Sequence, residues 1–352
     1  MLAETKKKIG KTILKNTAAF AFAVVAVTLL SAVFGQENSL PVVGIVVALM
    51  LYPSLDLGVY DLRMAVVLAL MLPLIGFTSV FALSGLWVGM AVNFFMVLLI
   101  LALTTEPLLY RPSLPLMLCY VFAQGAPVKT PEAFSMRMAC MAVGGVLVFA
   151  ATFLAWRKKH KELPRHGLKQ QMTLSLRHKS YVLRMALGIM IAGMIGEIFG
   201  LKKSMWISVV VLSLTQIDIK TTRQRIKYRV IASIVGVFLF LLFCQYLIPQ
   251  KYVFIFIIFL GYLSSFVKEY KYAQVLNTIN ALNANLVLFD TQEAIGNRFL
   301  LLAVGIAIVL LLFFADKVFR RMMAVHRGIR PEQTKVQEQE TGTQGFSAVR
   351  TG

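Results

Sequence analysis

Two arginines stand inside apolar runs in matched surroundings. Arg137 follows Glu132-Ala133 and precedes Ala142-Val143-Gly144. Arg298 follows Glu293-Ala294 and precedes Ala303-Val304-Gly305. All six residues repeat at one offset of about 160 positions, the mark of an internal duplication. An ionisable group within an apolar span is costly and points to function by default. Each guanidinium lies one to two turns inside its helix, about 9 Å past the start. Two of them near a common axis would hold a carboxylate bidentately, which suits a small organic anion. Snorkelling to the interface, or pairing with Glu132 and Glu293, would explain the same residues without a ligand.

Other polar residues fall into smaller groups. Asn277, Asn280 and Asn283 recur every three residues in one apolar run, flanked by Gln274 and Asn285. A polar stripe of this kind faces protein or water, not lipid. It would line a pathway and offer amide donors, or it would bond neighbouring helices. The most embedded carboxylate is Glu197. Burial disfavours the charged form of a carboxylate, which makes Glu197 the candidate for proton coupling, with pairing to Lys202 or Lys203 as the alternative. Asp56 and Asp218 follow short runs, and Arg63 and Arg229 open the runs after them. The expected pairs are Asp56 with Arg63 and Asp218 with Arg229, as an inner-mouth gate or as plain salt bridges.

Several chemistries are missing from this pattern. Cys119, Cys140 and Cys244 lie singly in apolar runs, and His160, His166, His178 and His326 lie in basic polar stretches. Neither set has metal-ligand spacing, and no metal or cofactor is expected. No phosphate-cradling loop ending in GK[ST] is present, and no paired acid or Ser/Lys constellation falls within the apolar runs. An enzyme is not expected.

The elements that must position these residues are membrane helices. Of 352 residues, 58% are hydrophobic and 15% charged. A soluble domain carries about 45–50% apolar and about 25% charged residues. The net charge of +20 lies in short clusters between apolar runs, which reads as topology and lipid attraction and not as a nucleic-acid surface. A span needs about 20 apolar residues. The runs are 16–34, 40–53, 63–83, 86–105, 113–126, 133–156, 181–199, 204–217, 229–247, 252–267, 272–289 and 294–317. The first is read as an uncleaved helix, because no small-x-small cleavage site follows it. The second, fifth and eighth are short, as part-buried or broken helices are.

The fold class that follows is all-α and polytopic, with about twelve transmembrane helices. The basic N-terminus, the 157–179 segment, Lys220–Arg229 and the basic C-terminal stretch then share the cytoplasmic side. Six crossings per half is even, so the two six-helix repeats are parallel, with both termini cytoplasmic. The division is 1–156 for the first repeat, 157–179 for a basic cytoplasmic linker, 180–320 for the second repeat and 321–352 for a disordered cytoplasmic tail.

The second half resembles a known family. Trp206 begins the short eighth run and Thr215-Gln216 closes it. A basic stretch follows, then Arg229 and, seven residues on, Gly236. This is similar to the fusaric acid resistance and aromatic acid exporter superfamily of bacterial inner-membrane proteins. The six-helix unit also resembles that of plant aluminium-activated malate channels. The chain departs from the family in having Ile217 after the glutamine, where a proline is usual. It also lacks the large cytoplasmic domain of many members. The resemblance implies a multi-pass inner-membrane secondary transporter that exports small aromatic or amphipathic organic anions. It implies proton drive and work with a periplasmic adaptor of the membrane-fusion type. It also implies that Trp206 stacks on an aromatic substrate and that Gln216 helps to shape the inner mouth, whereas Trp87, Trp156 and Trp206 would otherwise form an aromatic belt. An anion channel of the same unit and a non-transporting membrane scaffold are the alternatives. Monomer, dimer and trimer stay open.

Overall fold

A computed structural model describes residues 2–158, 163–267, 269–285 and 291–326. Those residues form α1 (Leu2–Phe34), α2 (Ser39–Leu51), α3 (Asp61–Thr78), α4 (Leu86–Thr104), α5 (Leu114–Gly125), α6 (Pro131–Lys158) and α7 (Leu168–Leu176). They continue as α8 (Lys179–Ile198), α9 (Met205–Leu214), α10 (Ile219–Phe240), α11 (Gln250–Ser264), α12 (Tyr270–Asn285) and α13 (Thr291–His326). Among the described residues the only extended pairing is a single bridge between Val59 and His166.

Each expected apolar run falls on one helix. Eight helical stretches are long and apolar enough to cross a membrane, and α5, α9 and Lys251–Ser264 of α11 are shorter apolar helices. The chain is therefore an all-helical protein of the multi-pass membrane type. Three helices depart most from their expected bounds, α1, which begins at Leu2 ahead of residue 16, α10 and α13. α10 begins at Ile219, ten residues before Arg229, because the Asp218 carboxylate accepts from the Thr221 amide at 2.9 Å and caps it. Charged residues 220–228 thus continue the helix, and Arg229 sits within it. α10 ends in a wider π-type stretch, Leu241–Leu247. α13 runs on to His326, past the expected boundary at 320. Most of the expected tail, residues 327–352, and the end of the eleventh run, 286–289, lie outside the described residues.

Small residues let the helices meet closely, as they do where lipid removes any hydrophobic drive between helices. A Cβ at Gly145 of α6 would stand 2.5 Å from the Ala69 carbonyl oxygen of α3. The matched glycines make matched crossings: at Gly144 a Cβ would meet Ile45 of α2 at 2.6 Å, and at Gly305 it would meet Val210 of α9 at 2.5 Å. Two seams join the halves across α4·α8 and α5·α9. A third contact pairs Phe20 of α1 with Tyr262 of α11, ring centres 5.6 Å apart.

The halves pack differently. α3 lies along α6, whereas α10 lies along α12 and touches α13 only lightly. One apolar core runs through the first half and on into α8, α9 and α13. A separate small core joins the end of α10 to α11 and α12 through Phe240, Cys244, Val253, Leu260, Ile279 and Leu282.

The basic 163–179 segment is strapped to the helix ends. Arg165 holds Asp56 at 2.8 Å, and the His166 amide donates to the Gly58 carbonyl at 2.9 Å. From α7, the Gln171 side chain donates to the Glu106 carbonyl at 2.8 Å, and His178 meets the Glu106 carboxylate at 2.8 Å.

Candidate functional site

α9 is ten residues long, wholly uncharged and short because Thr215 turns extended straight after it. Gly200, at φ 57°, makes the turn that brings the chain back from α8 into α9, a conformation that glycine adopts without strain. Trp206 and Ser213 stand seven residues apart on α9. Two helical turns put them on one face, about 10 Å apart along the axis.

That face is lined with arginines. Arg298 of α13 is 4% exposed, and its guanidinium lies 5.5 Å from the centre of the Trp206 ring. Arg229 of α10 is 3% exposed and donates to the Ser213 hydroxyl. Arg225, one turn earlier on α10, donates to the Ser213 carbonyl at 3.0 Å and lies 4.7 Å from the centre of the Tyr270 ring. The Tyr270 and Ser213 hydroxyls are 3.0 Å apart. The order along α9 is Arg298 with Trp206, then Arg229 with Ser213, then Arg225 beside Ser213 and Tyr270.

Three buried N–H donors on this face have no acceptor among the described residues: Arg298 Nε, Arg229 Nε and Trp206 Nε1. A buried donor left unmatched costs about 1–3 kcal/mol, more when charged. None of the three arginines makes an ion pair among the described residues. An anion on this face would satisfy the donors and the charge together.

Arg137 is held in another way. It is fully buried, and it donates to the Asn38 side chain, to the Glu37 carbonyl at 3.1 Å and to the Ala123 and Ala126 carbonyls at 3.2 and 2.8 Å. Those groups lie at the end of α5 and in the turn before α2. The cation therefore caps orphan carbonyls, and protein atoms take up the donors that a substrate would need. The structure does not bring Arg137 and Arg298 to one carboxylate.

The other expected residues are scattered. Asn277 is exposed, Asn283 is half-buried and Asn280 carries a buried Oδ1 without a donor. Steps of three residues drift round a helix of 3.6 residues per turn, so the stripe does not keep one face. The buried side of α12 is instead Gln274, Thr278, Ile279, Ala281 and Leu282. Glu197 is exposed at the end of α8, so the burial expected of it is absent. Asp56 pairs with Arg165 in place of Arg63, whose guanidinium lies 5.2 Å from the Tyr60 ring centre. Asp218 is the cap of α10 and not a partner of Arg229. Gln216 accepts from Arg111 of the first half at 2.9 Å, which ties the two halves near the C-terminal end of α9.

Arg184, Asp316, Ser213, Arg225 and Tyr270 were not expected. Arg184 is 5% exposed, pairs with Asp316 of α13 and donates to the Gln216 and Ile217 carbonyls at 3.2 and 2.9 Å. Its signal was visible: one Arg and one Asp, each inside an apolar run. Ser213 and Tyr270 gave none, because only the fold sets them beside arginines.

No curated protein and no solved structure matches the chain. A family model described as fusaric acid resistance protein-like matches residues 191–312. The family points to a membrane protein of the transporter type. The stretch similar to the fusaric acid resistance protein-like family, residues 191–312, contains the whole arginine face of α9.

Proposed function

We propose that the chain is a duplicated inner-membrane transporter of about twelve transmembrane helices that exports small organic anions along the arginine face of α9. The observation that carries this reading is the set of unmatched donors on Arg298, Arg229 and Trp206. A carboxylate with an aromatic body suits the first station, where a guanidinium and an indole N–H stand together. Arg229 and then Arg225 offer the next stations toward the basic side. The face binds its cargo and does no bond chemistry on it. Proton drive and a periplasmic adaptor enter through the family likeness.

The test is flux in proteoliposomes under an imposed pH gradient. Benzoate, salicylate and aliphatic carboxylates would be compared in the unaltered chain, in Arg298→Ala and in Arg229→Ala. Gradient-dependent flux that falls more than about tenfold in both variants is expected, since each loses a charge-assisted contact. Flux through Arg298→Ala and Arg229→Ala equal to that of the unaltered chain would overturn the assignment. Flux indifferent to the pH gradient would favour a channel over a transporter.

A further inference from the structure

A cavity of about 240 Å³ lies between the halves, on the other side of α9 from the arginines. α4 and α5 form one wall and α8 and α9 the other, at the helix ends away from the basic strap. Met205 and Ser208 of α9 line it, one turn apart, while Trp206 and Ser213 face the arginines. The cavity is smaller than sites for drug-sized ligands, and it has room for one single-ring molecule. Three methionines, Met90, Met194 and Met205, give its apolar lining an adaptable shape.

Two acceptors on the lining, the Gln124 side-chain carbonyl and the Glu197 carboxylate, stand beside the hydroxyls of Ser204 and Ser208. The Gln124 amide nitrogen is spent on the Thr78 carbonyl and hydroxyl, at 3.2 and 3.4 Å, so its carbonyl end has no donor among the described residues. Tyr120 gives its hydroxyl proton to the Asn93 carbonyl at 2.5 Å. The Asn93 nitrogen is turned to the α8 backbone, 2.9 Å from where a Cβ of Gly193 would stand. The Glu197 carboxylate belongs to the lining at the exposed end of α8. Lys203 also reaches the lining and has a partner of its own.

We propose that this cavity is a second binding site, for a small amphipathic ammonium ion. Its apolar body fills the methionine-lined space and its N–H groups reach Glu197 and the Gln124 carbonyl. The lining carries one carboxylate, Glu197, and one ammonium, Lys203, where the arginine face carries three guanidiniums, and α9 separates the two. The site stands on the cavity geometry alone and does not depend on the anion reading.

The test is calorimetric binding to the full chain in detergent or nanodiscs. Three probes of one shape would be used: phenethylamine, phenethyl alcohol and phenylacetate. Phenethylamine is expected to bind tightest and phenylacetate least. Glu197→Gln should weaken phenethylamine about tenfold and change phenethyl alcohol less than about twofold, the loss of one charge-assisted contact. Gln124→Leu keeps the volume and should weaken phenethylamine several-fold. Ser208→Phe fills the space and should remove both amine and alcohol binding, with its melting temperature checked to separate a filled cavity from a failed fold. Arg298→Ala should leave phenethylamine binding as it is. Equal binding of the three probes would overturn the proposal. So would an absence of phenethylamine binding, or amine binding that survives both Glu197→Gln and Gln124→Leu in folded protein.

Discussion

Arg137 and Arg298 occupy the same sequence context, yet the structure gives them opposite lives. Arg137 meets four acceptors of its own chain, at the end of α5 and before α2. Arg298 lies over Trp206 with its Nε unmatched among the described residues. The helices around them differ in the same sense. α3 is seated on α6, whereas α10 has moved its packing to α12 and forms a separate small core with it. A buried guanidinium can therefore be saturated by its own chain in one half and keep an unmatched Nε among the described residues in the other. What decides between them is whether the fold places carbonyl ends within its reach.

The largest expected effect tests that contrast directly. Arg137→Ala strands the carbonyls it caps and should cost about 3–5 kcal/mol, read as a fall in thermal stability in detergent. Arg298→Ala removes a buried cation that has an unmatched Nε and should leave the melting temperature level or higher, while anion flux falls more than about tenfold. Equal destabilisation by the two variants would break the comparison.

A second pair probes the tight seam of the first half. Gly145→Ala drives a methyl into the Ala69 carbonyl and should cost about 1–3 kcal/mol. Gly296→Ala on α13 has nothing within 4 Å and should be neutral or stabilising by up to about 1 kcal/mol. Denaturant or thermal unfolding of both variants checks this.

The next effect is kinetic. Arg229→Lys keeps the charge but loses the planar fork and should raise the half-saturation concentration for anions several-fold, with little change in stability. Ser213→Ala should do less, because Arg229 keeps its charge and its guanidinium gains a free N–H. Concentration-dependent flux measures both.

The smallest effect concerns the strap. His178 beside Glu106 holds that carboxyl below its ordinary value of 4.5. A lowered folded value means that the contact stabilises the protein fully above that pH and loses its contribution as pH falls further. Glu106→Gln should thus lower stability near neutral pH by less than about 1 kcal/mol and flatten the acid limb of a stability–pH curve.

Much of the architecture was written in the composition and in the spacing of apolar runs. Lipid demands long apolar helices with satisfied backbones, so each run became a helix, and the short second, fifth and eighth runs became the short helices α2, α5 and α9. Arg298 could be singled out from its type, since an ionised group is conspicuous in an apolar span, whereas Trp206 drew notice through the family resemblance and Arg229 as an expected partner of Asp218. Helix ends were harder: the cap at Asp218 lengthened α10 through a charged stretch that hydropathy assigns to a loop. Pairing was not legible at all. Asp56 chose Arg165 over Arg63, the α12 asparagines spread round their helix from the exposed Asn277 to the part-buried Asn280, and Ser213 and Tyr270 gained meaning only beside Arg229 and Arg225. One sequence context led to a saturated Arg137 and an unsaturated Arg298. The reason is physical: hydropathy acts on each segment alone, whereas the partner of a buried charge is set by which helix ends the tertiary packing brings to it.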